Sequence, residues 1–150
     1  MNPFEKLLAD LAHADVHFVT VGGVACAFNG HVRATQDVDI LVSAEPGNLS
    51  RLLEALRGFG EGYASELSEA DFPVEPGAVR IVEDFPLDIF TLMAGLRYED
   101  LVDQVSWWTS GDVSIPFLDV EGLLRIKGVS LRERDQQDVI ARRLLRDSRR

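Results

Sequence analysis

A β-branched run that ends on two glycines, Val16-His17-Phe18-Val19-Thr20-Val21-Gly22-Gly23, constrains this chain more than any other stretch. Short apolar runs bounded by turn residues form buried strands, and the glycine pair stops this one. The residues that follow, Val24-Ala25-Cys26-Ala27-Phe28-Asn29-Gly30, form a short helical stretch of small residues with Gly30 as a C-terminal stop. Glycines between a strand and a helix let the backbone approach a ligand closely, and the first N–H groups of the helix point toward it. Taken alone, the pair is more simply a tight turn than a phosphate loop.

The remaining segments repeat the strand-and-helix theme. Residues 3–13 place Phe4, Leu7, Leu8 and Leu11 on one helical face. A loop, His31-Val32-Arg33-Ala34-Thr35-Gln36, leads into a second β-rich run over 37–43. Residues 46–57 read as an amphipathic helix with Leu49, Leu52, Leu53 and Leu56 inward, closed by Gly58 and Gly60. The stretch 60–78 has poor periodicity and reads as loop and short helix. Strands are expected over 79–83 and 86–92, parted by Asp84-Phe85-Pro86. A helix over 98–106, a short strand over 113–116 and two closing helices over 119–129 and 133–147 complete the reading. No repeat or linker divides the chain, so the expectation is one domain over residues 1–150, in the α/β (α+β) range, with a mixed sheet flanked by helices.

Composition narrows the function classes. The 150 residues are 46% hydrophobic and 27% charged, which is globular composition. No apolar run approaches the roughly 20 residues that span a bilayer, and the charged N-terminus lacks the build of a signal peptide. A single cysteine, Cys26, excludes an internal disulfide and fits a reducing compartment, so a cytoplasmic protein without membrane partners is expected. The net charge of −10 is uneven: residues 1–124 carry 6 Lys/Arg against 21 Asp/Glu (−15), residues 125–150 carry 9 against 4 (+5). A body this acidic repels a nucleic-acid backbone and argues against extended duplex binding. His13, His17 and His31 have no metal-ligand spacing with one another or with Cys26, which argues against zinc. Cys26 reads as core packing, and Trp107-Trp108 as core or an interface anchor.

Chemistry concentrates in three aspartates. Asp37 and Asp39 flank Val38 in a strand, so both point to one face, roughly 7 Å apart. Aspartate is depleted in strands, and two on one face repel unless a cation lies between them. Hard oxygen ligands of this kind suit magnesium or manganese. Asp88 interrupts the otherwise apolar Pro86-Leu87-Asp88-Ile89-Phe90 and needs compensation if buried. If the two strands are neighbours, Asp88 completes a cluster of three carboxylates, the usual protein share of a two-metal phosphoryl-transfer site.

The run VGGVACAFNGHVRATQDVDILV resembles the signature of the DNA polymerase beta-like nucleotidyltransferases: a glycine pair opening a helix, a spacer, Asp-x-Asp on the next strand, and a third acid on a later strand. Gly22-Gly23, Asp37, Asp39 and Asp88 match those positions. The stretch Gly30–Thr35 and the C-terminal FLDVEGLLRIKGVSLRERDQQDV are similar to the small single-domain bacterial branch, some of whose members act in toxin–antitoxin pairs. The resemblance covers residues 16–140. Gln36 and the second glycine depart from the commoner residues without removing a ligand. The larger relatives' helical acceptor domain is missing, which points to surface borrowed from a partner or from a second copy in a homodimer.

The resemblance implies transfer of a nucleoside monophosphate from a triphosphate, with ATP the expected donor, to an acceptor hydroxyl. Asp37 and Asp39 would bind both cations. Asp88 would ligate the second and help deprotonate the acceptor, while Gly22 and Gly23 would cradle the triphosphate. Arg33, Thr35 and Lys127 are further nucleotide-binding candidates, although Arg33 reads equally as a surface arginine, Thr35 as a turn cap and Lys127 as a snorkelling side chain. Acceptors consistent with the resemblance are a partner protein such as a HEPN-type ribonuclease toxin, an RNA end, or a small molecule such as an aminoglycoside. The competing expectation is a catalytically silent module of the same fold that acts through protein contacts.

Overall fold

A computed structural model describes residues 1–31 and 34–134 of the chain. Helix α1 (Pro3–His13) begins at a reciprocal cap: the Asn2 side chain accepts from the Glu5 N–H at 2.8 Å, and the Glu5 carboxylate accepts from the Asn2 N–H at 3.2 Å. Strand β1 (Phe18–Val21) runs directly into helix α2 (Gly22–Phe28). After the loop come β2 (Val38–Val42) and α3 (Pro46–Leu56). Two short 3₁₀ turns, Tyr63–Glu66 and Glu69–Asp71, fill the expected excursion. The hairpin of β3 (Ala78–Val82) and β4 (Pro86–Phe90) follows. A 3₁₀ segment (Tyr98–Gln104), a second hairpin of β5 (Val105–Ser110) and β6 (Val113–Leu118), and helix α4 (Val120–Arg134) complete the described chain.

The strands form one six-stranded mixed sheet in the order β3-β4-β2-β1-β6-β5. Strands β1 and β2 are antiparallel, while β1 with β6 and β2 with β4 are parallel. Alternation then assigns the faces. Phe18, Val38, Ile40, Val42, Ile81, Leu87, Ile89 and Ile115 join the leucines of α1 and α3 in the larger core. On the opposite face Val19, Val21, Leu41 and Leu118 pack with Leu101 and are flanked by Phe90, Tyr98, Leu123 and Ile126. The sheet is therefore covered on both sides, consistent with nearly continuous apolar strands. Buried Asn48 pins the start of β1 to the end of β2: it accepts from the His17 N–H at 2.7 Å and donates to the carbonyls of His17 (3.0 Å) and Ser43 (2.8 Å).

The expected α/β class and mixed sheet are those observed. Three details differ. Strand β5, which carries Trp107 and Trp108, was not expected, because an edge strand of half-exposed Ser, Thr and Trp has no clean apolar period. The expected helix over 98–106 is a 3₁₀ segment that ends at Gln104, where the chain extends into β5. Helix α4 runs on past 129, and most of the expected helix over 133–147 lies outside the described residues. No helix among the described residues is long and apolar enough to cross a membrane.

Candidate active site

Register places the acids. Arg80 pairs with Asp88 across β3 and β4, Asp88 with Asp39 across β4 and β2, and Asp39 with Val21 across β2 and β1. Residues paired in this way share one face of a sheet, so a single row crosses four strands as Arg80, Asp88, Asp39 and Val21. The row behind it is Ala78, Phe90, Leu41 and Val19, apolar throughout. Asp37 lies two residues before Asp39, just ahead of β2, and Arg80 links it to the row. The adjacency of β2 and β4, on which the sequence reading of Asp88 depended, is therefore present.

Asp88 is buried at 2% exposure, whereas Asp37 and Asp39 are half-buried. The Arg80 Nη1 lies 3.2 Å from Asp88 Oδ1, 3.0 Å from Asp88 Oδ2 and 3.7 Å from Asp37 Oδ2. This guanidinium was absent from the sequence-derived candidates, although a signal for it existed. The tight β3–β4 turn fixes the hairpin register, and Val79 and Ile81 face the larger core, so Arg80 must face Asp88. Among the described residues, no group of three His, Cys, Asp or Glu side chains is disposed to hold a metal ion.

The glycine pair abuts this row. Gly22 has a φ of +69°, and a Cβ there would collide with the Asp39 carboxylate, with Asp39 Cγ and Cβ at 3.0 and 3.1 Å. A Cβ on Gly23 would collide with the Thr35 hydroxyl. Glycine is thus required at position 22 both by the left-handed backbone and by the close approach of the acid. Val21 gives α2 no side-chain cap, which leaves the amides at this turn to backbone, solvent or a ligand.

The remaining candidates divide. Thr35 is in place against Gly23, and Lys127 is exposed on α4 without an ion pair among the described residues. Arg33 lies outside the described residues. Cys26 is half-buried in α2 and belongs to neither of the two core clusters among the described residues. The tryptophans separate: Trp108 stacks on Phe28 at a centroid distance of 5.3 Å, and Trp107 is 59% exposed. Burial, and secondarily the Glu99 carboxylate, raises the Tyr98 phenol above its ordinary pKa, on the 3₁₀ segment that covers the same face.

Hard carboxylate oxygens on neighbouring strands, beside a turn that tolerates no Cβ, fit a divalent cation in donor type and polyphosphate in backbone access. The fold is of the nucleotidyltransferase class. The chain belongs to the family described as nucleotidyltransferase of unknown function (DUF6036), whose model matches residues 4–148. In fold it is similar to the crystal structure of a Thermotoga maritima protein provisionally named a nucleotidyltransferase, with a TM-score of 0.57 and 16% identity over 95% of this chain and 89% of that one. No curated protein matches the sequence.

Proposed function

We propose that the chain moves a nucleoside monophosphate from a triphosphate, with ATP the first choice, to an acceptor hydroxyl and releases pyrophosphate. The observation that carries this reading is the row Arg80, Asp88, Asp39, Val21 running into Gly22, which sets two acids beside a turn of close-approach backbone. The acceptor oxygen forms a bond to the α-phosphorus as the bond to the β-phosphate oxygen breaks. Asp88 takes the hydroxyl proton and returns it to solvent. Asp37 and Asp39 would hold magnesium or manganese, and Asp88 would contribute to the second ion. Such cations, when bound, would supply neutralising charge to the phosphate oxygens. The Gly22-Gly23 turn directs backbone N–H groups at the triphosphate, with Thr35 behind it, and Arg33 and Lys127 are the side chains proposed to reach its outer phosphates. So few groups suffice because positioning and charge neutralisation carry most of the chemistry.

The acceptor belongs among a partner protein (including a toxin of the HEPN type in the cytoplasm), an RNA end and a polycationic small molecule. The acidic body favours the last and disfavours long nucleic acid. A labelling experiment tests the transfer itself. Protein with magnesium receives ATP labelled at the α- or the γ-phosphate, together with cellular protein, RNA or an aminoglycoside. Label retained by an acceptor from the α-position alone, and lost with Asp39→Asn, is the expected result. Retention from the γ-position would make the chain a kinase instead. The catalytically silent reading is favoured by one observation, that Arg80 engages Asp88 while no three-acid group is found among the described residues.

A further inference from the structure

Arg80 stands in the acid row, yet the transfer reaction as written gives it no task. Its side chain is 16% exposed and that of Asp88 is 3% exposed, so the pair is largely out of water. A buried carboxylate is retained only with compensating charge or hydrogen bonds. One Nη1 reaches both Asp88 oxygens and, at 3.7 Å, Asp37 as well. Asp88 and Asp37 are thus arranged about a guanidinium, and no three-carboxylate group is formed among the described residues. β3 is the outermost strand of its end of the sheet, and the guanidinium rides on a long flexible stem, so it can withdraw without breaking the ladder.

We infer that Arg80 is a positioning residue whose guanidinium competes with a divalent ion for the Asp88 carboxylate. It holds Asp88 and Asp37 together and must release Asp88 before a divalent ion can take that carboxylate, so it sets how tightly the site loads. This inference rests on the metal-dependent reading above. Its consequence has an unusual sign. Removing Arg80 destabilises the metal-free protein while tightening its hold on divalent cations. A purely structural arginine would do the opposite to the second quantity, because a damaged site binds more weakly.

The test uses the full chain, as wild type, Arg80→Met, Arg80→Gln and Arg80→Lys. Manganese binding is read from the electron-spin resonance of free hexaaqua manganese, and melting is followed with and without the ion. Arg80→Met and Arg80→Gln are expected to melt lower than wild type without metal and to bind manganese on the order of tenfold more tightly, since a unit positive charge at contact distance is gone. The gain in melting temperature on adding manganese grows accordingly. Arg80→Lys, which keeps the charge, stays near the wild-type affinity. Should the neutral variants fold only when manganese is added, the inference is supported. Should they fail to fold at all, Arg80→Lys decides: lower stability with affinity at or above wild type supports it, and weaker binding overturns it. Wild type that binds manganese as tightly as the neutral variants, or more tightly, overturns the role of Arg80 and leaves the metal site standing. Manganese binding by neither wild type nor variant overturns both.

Discussion

Gly22→Ala is expected to cut metal-dependent nucleotide binding by roughly 100-fold or more, in the range seen when a single preorganised group is lost from a charged site. Two costs combine at this position. An alanine at φ +69° carries left-handed strain of about 1–2 kcal/mol. Its methyl group also overlaps the Asp39 carboxylate and crowds Asp39 Cγ and Cβ, so the acid must rotate out of the row. Gly111→Ala isolates the first cost: its φ is +59° and nothing lies within 4 Å of the added carbon. Calorimetry should show Gly111→Ala binding nucleotide as wild type does despite a similar loss of stability. Equal binding by the two alanine variants would mean that the glycine turn does not serve the site.

Asp88→Ala combines the second large loss in stability with a loss of transfer. Deleting the carboxylate leaves the Arg80 guanidinium largely buried with Asp37 at 3.7 Å as its remaining acid among the ion pairs described. Removing one member of a buried pair costs about 3–5 kcal/mol, and the partial exposure of Arg80 and the proximity of Asp37 reduce this to about 2–4 kcal/mol. Asp88→Asn, which preserves shape and one acceptor, should unfold in urea at a midpoint between wild type and Asp88→Ala. Both variants should lower the transfer rate by roughly a thousandfold, because the acid that takes the hydroxyl proton and shares an ion is gone in each. A variant with wild-type transfer would remove Asp88 from the reaction.

What the sequence disclosed, and what it concealed, follows from the range of each interaction. Strand alternation was expected to put Asp37 and Asp39 on one face, but β2 begins at Val38, so Asp37 lies just before the strand and meets the row through Arg80. The glycine pair was visible as a stop, but the approach of Gly22 to Asp39 depends on the antiparallel pairing of β1 with β2, which are joined through α2 and the loop after it. The placement of Asp88 beside Asp39 is less local still. It needs the parallel pairing of β2 with β4, and residues 60–78, which lack periodicity, lie in between. Nothing in a parallel register is written into a turn. Arg80 is readable in principle from the β3–β4 hairpin, whose short turn sets it opposite Asp88. Strand β5 was concealed by its place at the sheet edge, where Trp107 faces solvent and the apolar alternation is lost. Lys127 is exposed on α4, so the nucleotide contact implied for it by resemblance remains a proposal resting on that resemblance.

The central claim is that the acids beside the glycine turn hold a cation and, through it, a triphosphate. Titration calorimetry with each of the four nucleoside triphosphates, in magnesium and in manganese, tests it on wild type and on a chain carrying both Asp37→Asn and Asp39→Asn. The account predicts that wild type binds at least one triphosphate only when the cation is present, and that the double variant loses this binding while keeping its fold. If wild type binds no triphosphate with either cation, the account is contradicted, and the chain is a nucleotidyltransferase-fold module that works through protein contacts.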